Sequence, residues 1–218
     1  MAKIIIFGIQ ENAEMAEYYI ERDTEHEVIA FCVDPEYITG NIFLNKPVIS
    51  FSDIVENFPP EDYLFFAPIS AKNMNMDREK IVKKIKLKGY ALISYVSSKS
   101  NVFNNTFGEN CFILENNVIQ PFVKIGSNVM MWSGNHIGHH SIIHDNVTIT
   151  SHVIISGRCT VKSYSYVGVN SSIRDGVIVA EGTFLTMGSL ITSDTKEWSV
   201  YKNESSLLTR ISSRRMKI

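Results

Sequence analysis

Apolar residues recur at every sixth position through the carboxyl-terminal half of the chain. From Ile125 to Ile191, every sixth residue is aliphatic or methionine, without a break. The residues four places after each are small or β-branched, with Asn135 the one exception, and turn-forming pairs such as Asp145-Asn146 lie between. Neither a helix nor a single strand has this period. The spacing therefore predicts a β-solenoid, in which short flat strands meet at corners and the inward aliphatic residues stack.

Three hexads make one triangular coil, so the stretch 107–196 predicts five coils. Phe107, Ile113 and Ile119 continue the same register more loosely towards the amino terminus. The spacing by itself leaves the hand of the coil open.

The amino-terminal part, up to Tyr95, follows a different pattern, in which short apolar runs alternate with amphipathic segments. The runs predict four strands, and the segments between them predict three helices. The predicted strands are 3–7, 28–33, 63–67 and 91–95, and the predicted helices are 12–22, 51–58 and 78–88. This alternation is typical of a small parallel sheet of the Rossmann type.

Composition and charge narrow the range of possible functions. With 44% hydrophobic and 20% charged residues, the chain is globular, and its formal net charge of −2 excludes an electrostatic grip on nucleic acid. Residues 1–100 hold 11 basic against 15 acidic side chains, whereas the end of the chain, with Arg214, Arg215 and Lys217, is basic.

The cysteines and the amino-terminal residues indicate the compartment. The chain has three widely spaced cysteines, Cys32, Cys111 and Cys159, and none of them forms a C-x-x-C pair. This spacing favours free thiols over a disulfide framework or a zinc site. No segment has the form of a signal peptide, and no apolar run approaches the ~20 residues of a membrane helix. We therefore expect a soluble cytoplasmic protein without a membrane partner.

Five of the six histidines fall between positions 136 and 152. Because histidine titrates near neutrality, such a cluster indicates proton transfer or metal binding. In the hexad register His139 and His140 form a corner pair whose side chains project outward. His136 and His144 fall on solvated parts of a coil, and His152 falls at a different corner.

The repeat and three glycine-containing segments resemble the hexapeptide-repeat acyltransferases. These segments are Gly134-Asn135-His136-Ile137-Gly138-His139-His140, Ser151–Gly157 and Gly168-Val169-Asn170-Ser171. The union of a Rossmann-like unit with such a repeat is similar to the bacterial sugar acyltransferases of the NeuD/PglD type over about residues 3–200. The resemblance implies a left-handed parallel β-helix, a homotrimer, and transfer of an acetyl or related short acyl group from acyl-coenzyme A. The implied acceptor is a nucleotide-linked amino sugar or sialic acid, for bacterial glycans or surface polysaccharides such as lipopolysaccharide, and no metal is implied.

The same resemblance implies that His139 is the catalytic base. Gly157, three hexads later, should lie one coil away, at a spacing of ~4.8 Å, and its N–H is the candidate donor to the oxyanion. We expect Asp175, two coils away at roughly 10 Å, to be too far for a direct bond to His139. The family commonly has a carboxylate directly after the catalytic histidine, where this chain has His140, which we assign to substrate binding. A neighbouring subunit or a backbone carbonyl could then orient His139.

Further roles follow from matching positions. The loop after the first strand contains one glycine, Gly8, instead of G-x-G-x-x-G, which argues against a dehydrogenase. In the resembled family this loop and the carboxylate after the second strand hold the nucleotide, which implies substrate binding by Gly8 and Asp34. Gly157 and Val169 match positions that line the coenzyme A groove between two helices of the trimer.

The predicted division is a nucleotide-sugar-binding domain at 1–100, an acyltransferase domain at 101–196 and a tail at 197–218, which either contacts coenzyme phosphates or is a solvated end. Three alternatives stay open. One is O-acetylation of a sugar, and another is a nonenzymatic scaffold. The third is a zinc enzyme like the gamma carbonic anhydrases, whose close histidine pair has the spacing of His139 and His144. Residues 101–135 contain no histidine that could complete such a site.

Overall fold

The computed structural model describes residues 1–204. The basic residues near the end of the predicted tail, Arg214, Arg215 and Lys217, lie outside this part of the chain.

The amino-terminal region contains a five-stranded sheet in the order β3-β4-β2-β1-β5. Its strands are β1 (Lys3–Phe7), β2 (Glu27–Val33), β3 (Ile42–Phe43), β4 (Lys46–Ser50) and β5 (Tyr63–Phe66). The helices are α1 (Glu11–Asp23), α2 (Ile54–Asn57) and α3 (Met76–Leu87), with a 3-10 turn at Pro35–Tyr37. β3 pairs with β4 in antiparallel fashion, and the other pairings are parallel.

The apolar run of β1 is continuous because the strand lies between β2 and β5 and has both faces covered. Ile4 and Ile6 point towards α1, where they pack in one core with Ile20. Ile5 points the other way and packs against residues such as Ile85 of α3. Alternate residues of the strand thus fill two cores on opposite faces of the sheet.

Two details differ from the sequence-based prediction. Residues 91–95 do not form a fourth sheet strand. Leu92 makes a single bridge to Phe65, and Tyr95 already belongs to the solenoid. Strand β4 and the short edge strand β3 were not predicted. Pro47 interrupts the pattern of β4, and it lies where β4 pairs with the two-residue antiparallel strand β3 at the edge of the sheet.

The remainder of the described chain is a parallel β-helix with three faces. Face A consists of β6 (Tyr95–Val96), β9 (Phe112–Ile113), β12 (Met130–Met131), β15 (Thr148–Ile149), β18 (Tyr166–Val167), β21 (Phe184–Leu185) and β23 (Val200–Tyr201). Face B consists of β7 (Asn101–Val102), β10 (Val118–Ile119), β13 (His136–Ile137), β16 (Ile154–Ile155), β19 (Ser172–Ile173) and β22 (Leu190–Ile191). Face C consists of β8 (Thr106–Phe107), β11 (Lys124–Ile125), β14 (Ile142–Ile143), β17 (Thr160–Val161) and β20 (Ile178–Val179).

The predicted register is confirmed. Within each face, a strand pairs in parallel with the strand three hexads later, as His136 pairs with Ile154 and Ile137 with Ile155. Every member of the aliphatic series from Ile125 to Ile191 is buried in one continuous core. The three cysteines are free and buried. Among residues 1–204, no helix is both long and apolar enough to cross a bilayer.

The corners of the β-helix are named for the faces that they join: corner AB, corner BC and corner CA. A ladder of buried asparagines connects successive coils at corner CA. Asn110 donates to Asn128 (2.8 Å), which donates to Asn146 (2.6 Å). Asn110 also bonds both backbone groups of Ala67, just after β5, and so joins the α/β sheet to the β-helix.

Arg78 of α3 makes a second connection, and its side chain is fully buried. Its guanidinium donates to the backbone oxygens of Asn128 (3.0 and 3.2 Å) and Ile69 (3.0 Å). A weaker bond reaches Thr148 Oγ1 (3.3 Å), which in turn donates to Asn75 (2.6 Å). Burial lowers the pKa of Arg78 to about 10, so the group stays charged at neutral pH.

Candidate active site

His139 lies at corner BC, between β13 and β14, where its backbone is held from both neighbouring coils. Its N–H donates to the Gln120 side-chain oxygen (2.9 Å), and its carbonyl oxygen accepts from the Arg158 N–H (2.8 Å). The side chain is half-buried. Sequence reasoning missed Gln120, although counting hexads back from His139 places it on the preceding coil.

Gly157 lies beside the imidazole of His139, one coil further along, as the spacing of three hexads predicts. A Cβ atom on Gly157 would lie 2.9 Å from both Nε2 and Cε1 of His139. Real Cβ atoms do not approach other atoms so closely, so any side chain at this position would displace the ring. Within residues 1–204, the Gly157 N–H donates to no backbone carbonyl. This buried N–H thus has no backbone acceptor in the described part of the chain.

The other nitrogen of the His139 ring contacts His140. The two Nδ1 atoms are 3.1 Å apart, and the ring of His140 also packs on Phe122 at 4.7 Å. One proton must lie between two such nitrogens for them to form a hydrogen bond. When His139 holds that proton, its Nε2, which faces Gly157, has a free lone pair and can accept a proton.

Asp175 lies closer to His139 than the coil spacing suggests. Its Oδ1 atom is 3.0 Å from the position that a Gly157 Cβ would occupy, and His139 Nε2 is 2.9 Å from the same position. The two atoms are therefore less than about 6 Å apart. The estimate of roughly 10 Å applied to backbones two coils apart, whereas the side chains extend towards each other over a residue that has none.

The remaining histidines of the cluster do not join this site. His136 is on β13, and His144 is exposed beyond β14. His152 is at corner AB, where its ring lies 2.7 Å from the position of a Gly134 Cβ. Within residues 1–204, no three His, Cys, Asp or Glu side chains are grouped so that they could hold a metal ion.

Gly8 and Asp34 line one cleft at the carboxyl ends of β1 and β2. The cleft has a volume of about 1130 Å³. Gly8 has φ of +122°, a conformation that favours glycine, and its N–H donates to Cys32 O (2.8 Å). Asp34 pairs with Lys84 of α3 at 3.1 Å, a partner that the sequence analysis did not single out. The carboxyl edge of a parallel sheet is where such folds bind ligands.

A second cavity of about 390 Å³ lies where the α/β sheet faces the β-helix. Ser70 and Asn12 line both this cavity and the first cleft, so the two are neighbours. Trp132, which follows β12, Tyr166 of face A and Val169 of corner AB also line it. Val169 and Gly157 are thus at different corners of the same chain.

No protein-family model and no curated protein matches this sequence. Solved structures do match it. One is a mutant of perosamine N-acetyltransferase from Caulobacter crescentus in complex with CoA and GDP-perosamine, with a TM-score of 0.81, 16% identity, and coverage of 92% of this chain and 93% of that one. Another is the acetyltransferase domain of PglB from Neisseria gonorrhoeae with acetyl coenzyme A, with a TM-score of 0.79, 16% identity, and coverage of 91% and 94%.

WeeI from Acinetobacter baumannii also matches, with a TM-score of 0.70, 16% identity, and coverage of 92% and 96%. At this level of identity the likeness establishes the fold. The parallel sheets stack in the left-handed β-helix arrangement of these acetyltransferase structures, which confirms that part of the predicted fold class.

Proposed function

We propose that the protein is an acyl-coenzyme A-dependent N-acyltransferase. It transfers an acetyl or related short acyl group to the amino group of a nucleotide-linked amino sugar. One observation carries this proposal: the Nε2 atom of His139 faces Gly157, whose N–H donates to no backbone carbonyl in the described chain. The similar fold of an acetyltransferase domain with bound acetyl coenzyme A supports it.

His139 acts as the general base in this proposal. Its Nε2 accepts a proton from the sugar amine as the nitrogen attacks the thioester carbonyl. The Gly157 N–H donates to the oxygen that becomes negative in the tetrahedral intermediate. A C–N bond forms, the C–S bond breaks, and the imidazolium returns its proton to the coenzyme A thiolate. His140 Nδ1, 3.1 Å from His139 Nδ1, keeps the proton of the neutral ring on the side away from the substrate.

The region 1–100 forms a Rossmann-like nucleotide-sugar-binding domain in this proposal, and the region 101–196 forms the acyltransferase domain. Gly8 allows a phosphate or sugar close to the backbone, and Asp34 accepts hydrogen bonds from the ribose or base. Lys84 has a donor next to Asp34 and can move to a phosphate. The neighbouring cavity, with Ser70 and Trp132, extends from this cleft to the β-helix and offers space for the amino sugar.

The active enzyme is a homotrimer in this proposal. The reason is that the residues assigned to the site lie at two different corners of a single chain. His139 and Gly157 are at corner BC, whereas Val169 and the cavity are at corner AB. In a trimer, corner AB of a neighbouring chain can lie against corner BC of the first chain. The two corners then form the two sides of the coenzyme A groove. Outward-facing apolar residues on face B, Ile154 at 50% exposure and Leu190 at 72%, suit burial between chains.

The compartment and pathway complete the proposal. A cytoplasmic enzyme would meet both of its substrates, acyl-coenzyme A and a nucleotide-linked sugar. Such sugars are precursors of bacterial glycans or lipopolysaccharide.

Sedimentation equilibrium tests the assembly, and a monomer at micromolar concentration would contradict a trimer. Calorimetry tests the cleft with uridine, guanosine and thymidine diphosphate sugars, and NAD binding of equal strength would contradict its assignment.

Coenzyme A release tests the activity. The purified protein is incubated with acetyl-coenzyme A and a panel of nucleotide-linked amino sugars, with matched sugars that have a hydroxyl group in place of the amine. We expect thiol release and an acetylated product with an amine acceptor. Release only with hydroxyl acceptors would establish O-acetylation instead, and no release with any acceptor would contradict the proposed activity.

Replacement of His139 with Asn tests the base. We expect turnover to fall roughly 10²- to 10⁴-fold, the usual contribution of a positioned base, while coenzyme A still binds. His144→Asn is the matched control, since His144 is exposed and lies beyond β14, and His152→Asn tests the histidine of corner AB. If His139→Asn kept wild-type turnover and His152→Asn abolished it, the base would be at the other corner.

A further inference from the structure

We propose that Asp175 is a positioning residue for His139, and that its carboxylate stabilises the imidazolium that forms when His139 takes the proton. This role rests on the proposed acyltransfer. It gives a part in that reaction to Asp175, a residue that the coil spacing alone had excluded. Asp175 lies two coils beyond His139 at corner BC, and only Gly157 stands between them in the column of corner residues.

The position that a Cβ of Gly157 would occupy shows how close the His139 and Asp175 side chains lie. His139 Nε2 and Asp175 Oδ1 both lie about 3 Å from the position that a Gly157 Cβ would occupy. The glycine thus has two effects: it leaves room for the imidazole, and it leaves no side chain to separate the ring from the carboxylate. A larger residue at position 157 would remove both.

The carboxylate of Asp175 is free to act on this ring. Within residues 1–204 it forms no ion pair, whereas Asp34 pairs with Lys84 and Glu109 with Lys86. It also makes no side-chain hydrogen bond there to stabilise its corner. By contrast, Asp194, on the next coil of corner BC, accepts from Ile178 N–H (2.8 Å) and so has a structural role.

The residue after His139 cannot provide this negative charge. His140 contacts Nδ1 of His139 and can fix the tautomer, but a histidine side chain is neutral or positive and does not attract an imidazolium. Asp175 approaches from the Nε2 side, where the transferred proton arrives. His140 and Asp175 thus have different roles: His140 orients the ring of His139, and Asp175 stabilises the positive charge of its imidazolium form.

Charge-removing and charge-keeping variants test the role. An opposite charge within about 6 Å in a partly solvated site predicts that Asp175→Asn lowers kcat roughly 5- to 100-fold, with the KM values for both substrates little changed. Asp175→Glu keeps the charge and should recover most of the loss. Glu197→Gln removes one exposed negative charge at corner CA and should leave kcat unchanged. Thermal melting of each variant confirms that it is folded.

A double-mutant cycle shows whether Asp175 acts through His139. In the His139→Asn background, Asp175→Asn should produce no further loss, because the imidazolium no longer forms. Wild-type kcat in Asp175→Asn, additive losses in the double variant, or a change confined to KM would each overturn the role. A wild-type protein that releases no coenzyme A with any acceptor would instead contradict the proposed function itself.

Discussion

Replacement of Arg78 with methionine should destabilise the protein by about 2–4 kcal/mol. The guanidinium makes two bonds to Asn128 O and one to Ile69 O, from a site that is 1% exposed. Its removal leaves the buried Asn128 oxygen without a donor, at a cost of about 1–3 kcal/mol, and the partly buried Ile69 oxygen without that donor at a smaller cost. Methionine fills most of the space of the stem, and the buried charge disappears, which offsets part of the loss.

Urea unfolding followed by circular dichroism measures this loss as a lower midpoint at constant m-value. Lys83→Met is the matched control on the same helix: Lys83 is exposed and pairs only with Glu79 at the surface, so its loss should leave the unfolding midpoint almost unchanged. Because Ile69 lines the cleft that we propose for the nucleotide, Arg78→Met should also weaken nucleotide binding to the folded protein. A loss below about 1 kcal/mol would refute the view that Arg78 holds the sheet against the β-helix.

Two further predictions concern corner BC and the pH dependence of stability. Gly157→Ala should leave the fold intact but lower turnover at least about 10²-fold, because the Cβ would displace the His139 ring; near-wild-type kinetics would contradict the site geometry. Burial is the largest single effect on Asp23 and opposes its ionisation, but the hydrogen bonds from Ser98 and Tyr95 together outweigh it and lower the pKa to about 2. The stability that this carboxylate contributes is therefore present above its ordinary pKa of 3.8 and lost as the pH falls towards 2. The stability difference between wild type and Asp23→Asn should shrink over that interval, and a constant difference in acid titration would count against it.

The local pattern of the sequence determined the β-helix almost completely. A period of six places every inward residue at the same point of a coil, so the aliphatic series, the register of three hexads and the adjacency of His139 and Gly157 all follow from counting. The apolar runs of β1 and β2 likewise predicted buried parallel strands. Strand β4 (Lys46–Ser50) was missed because Pro47 breaks the alternation and Val48 is its one buried residue.

Contacts between distant segments were decided only by the tertiary structure. Lys84 belongs to a helix with several exposed lysines, and nothing in its spacing distinguishes the one that meets Asp34. The burial of Arg78 depends on carbonyl groups far away in the sequence, such as those of Asn128 and Val147, which become acceptors only when the β-helix packs against α3.

The same holds for the surroundings of His139. Counting coils gives the separation of backbones, but the distance between His139 and Asp175 depends on how far their side chains reach across Gly157. The contact between His139 and His140 likewise depends on ring orientations at a turn where His140 has φ of +59°. A repeat determines where a residue stands on the coil, whereas side-chain direction and packing decide what it touches.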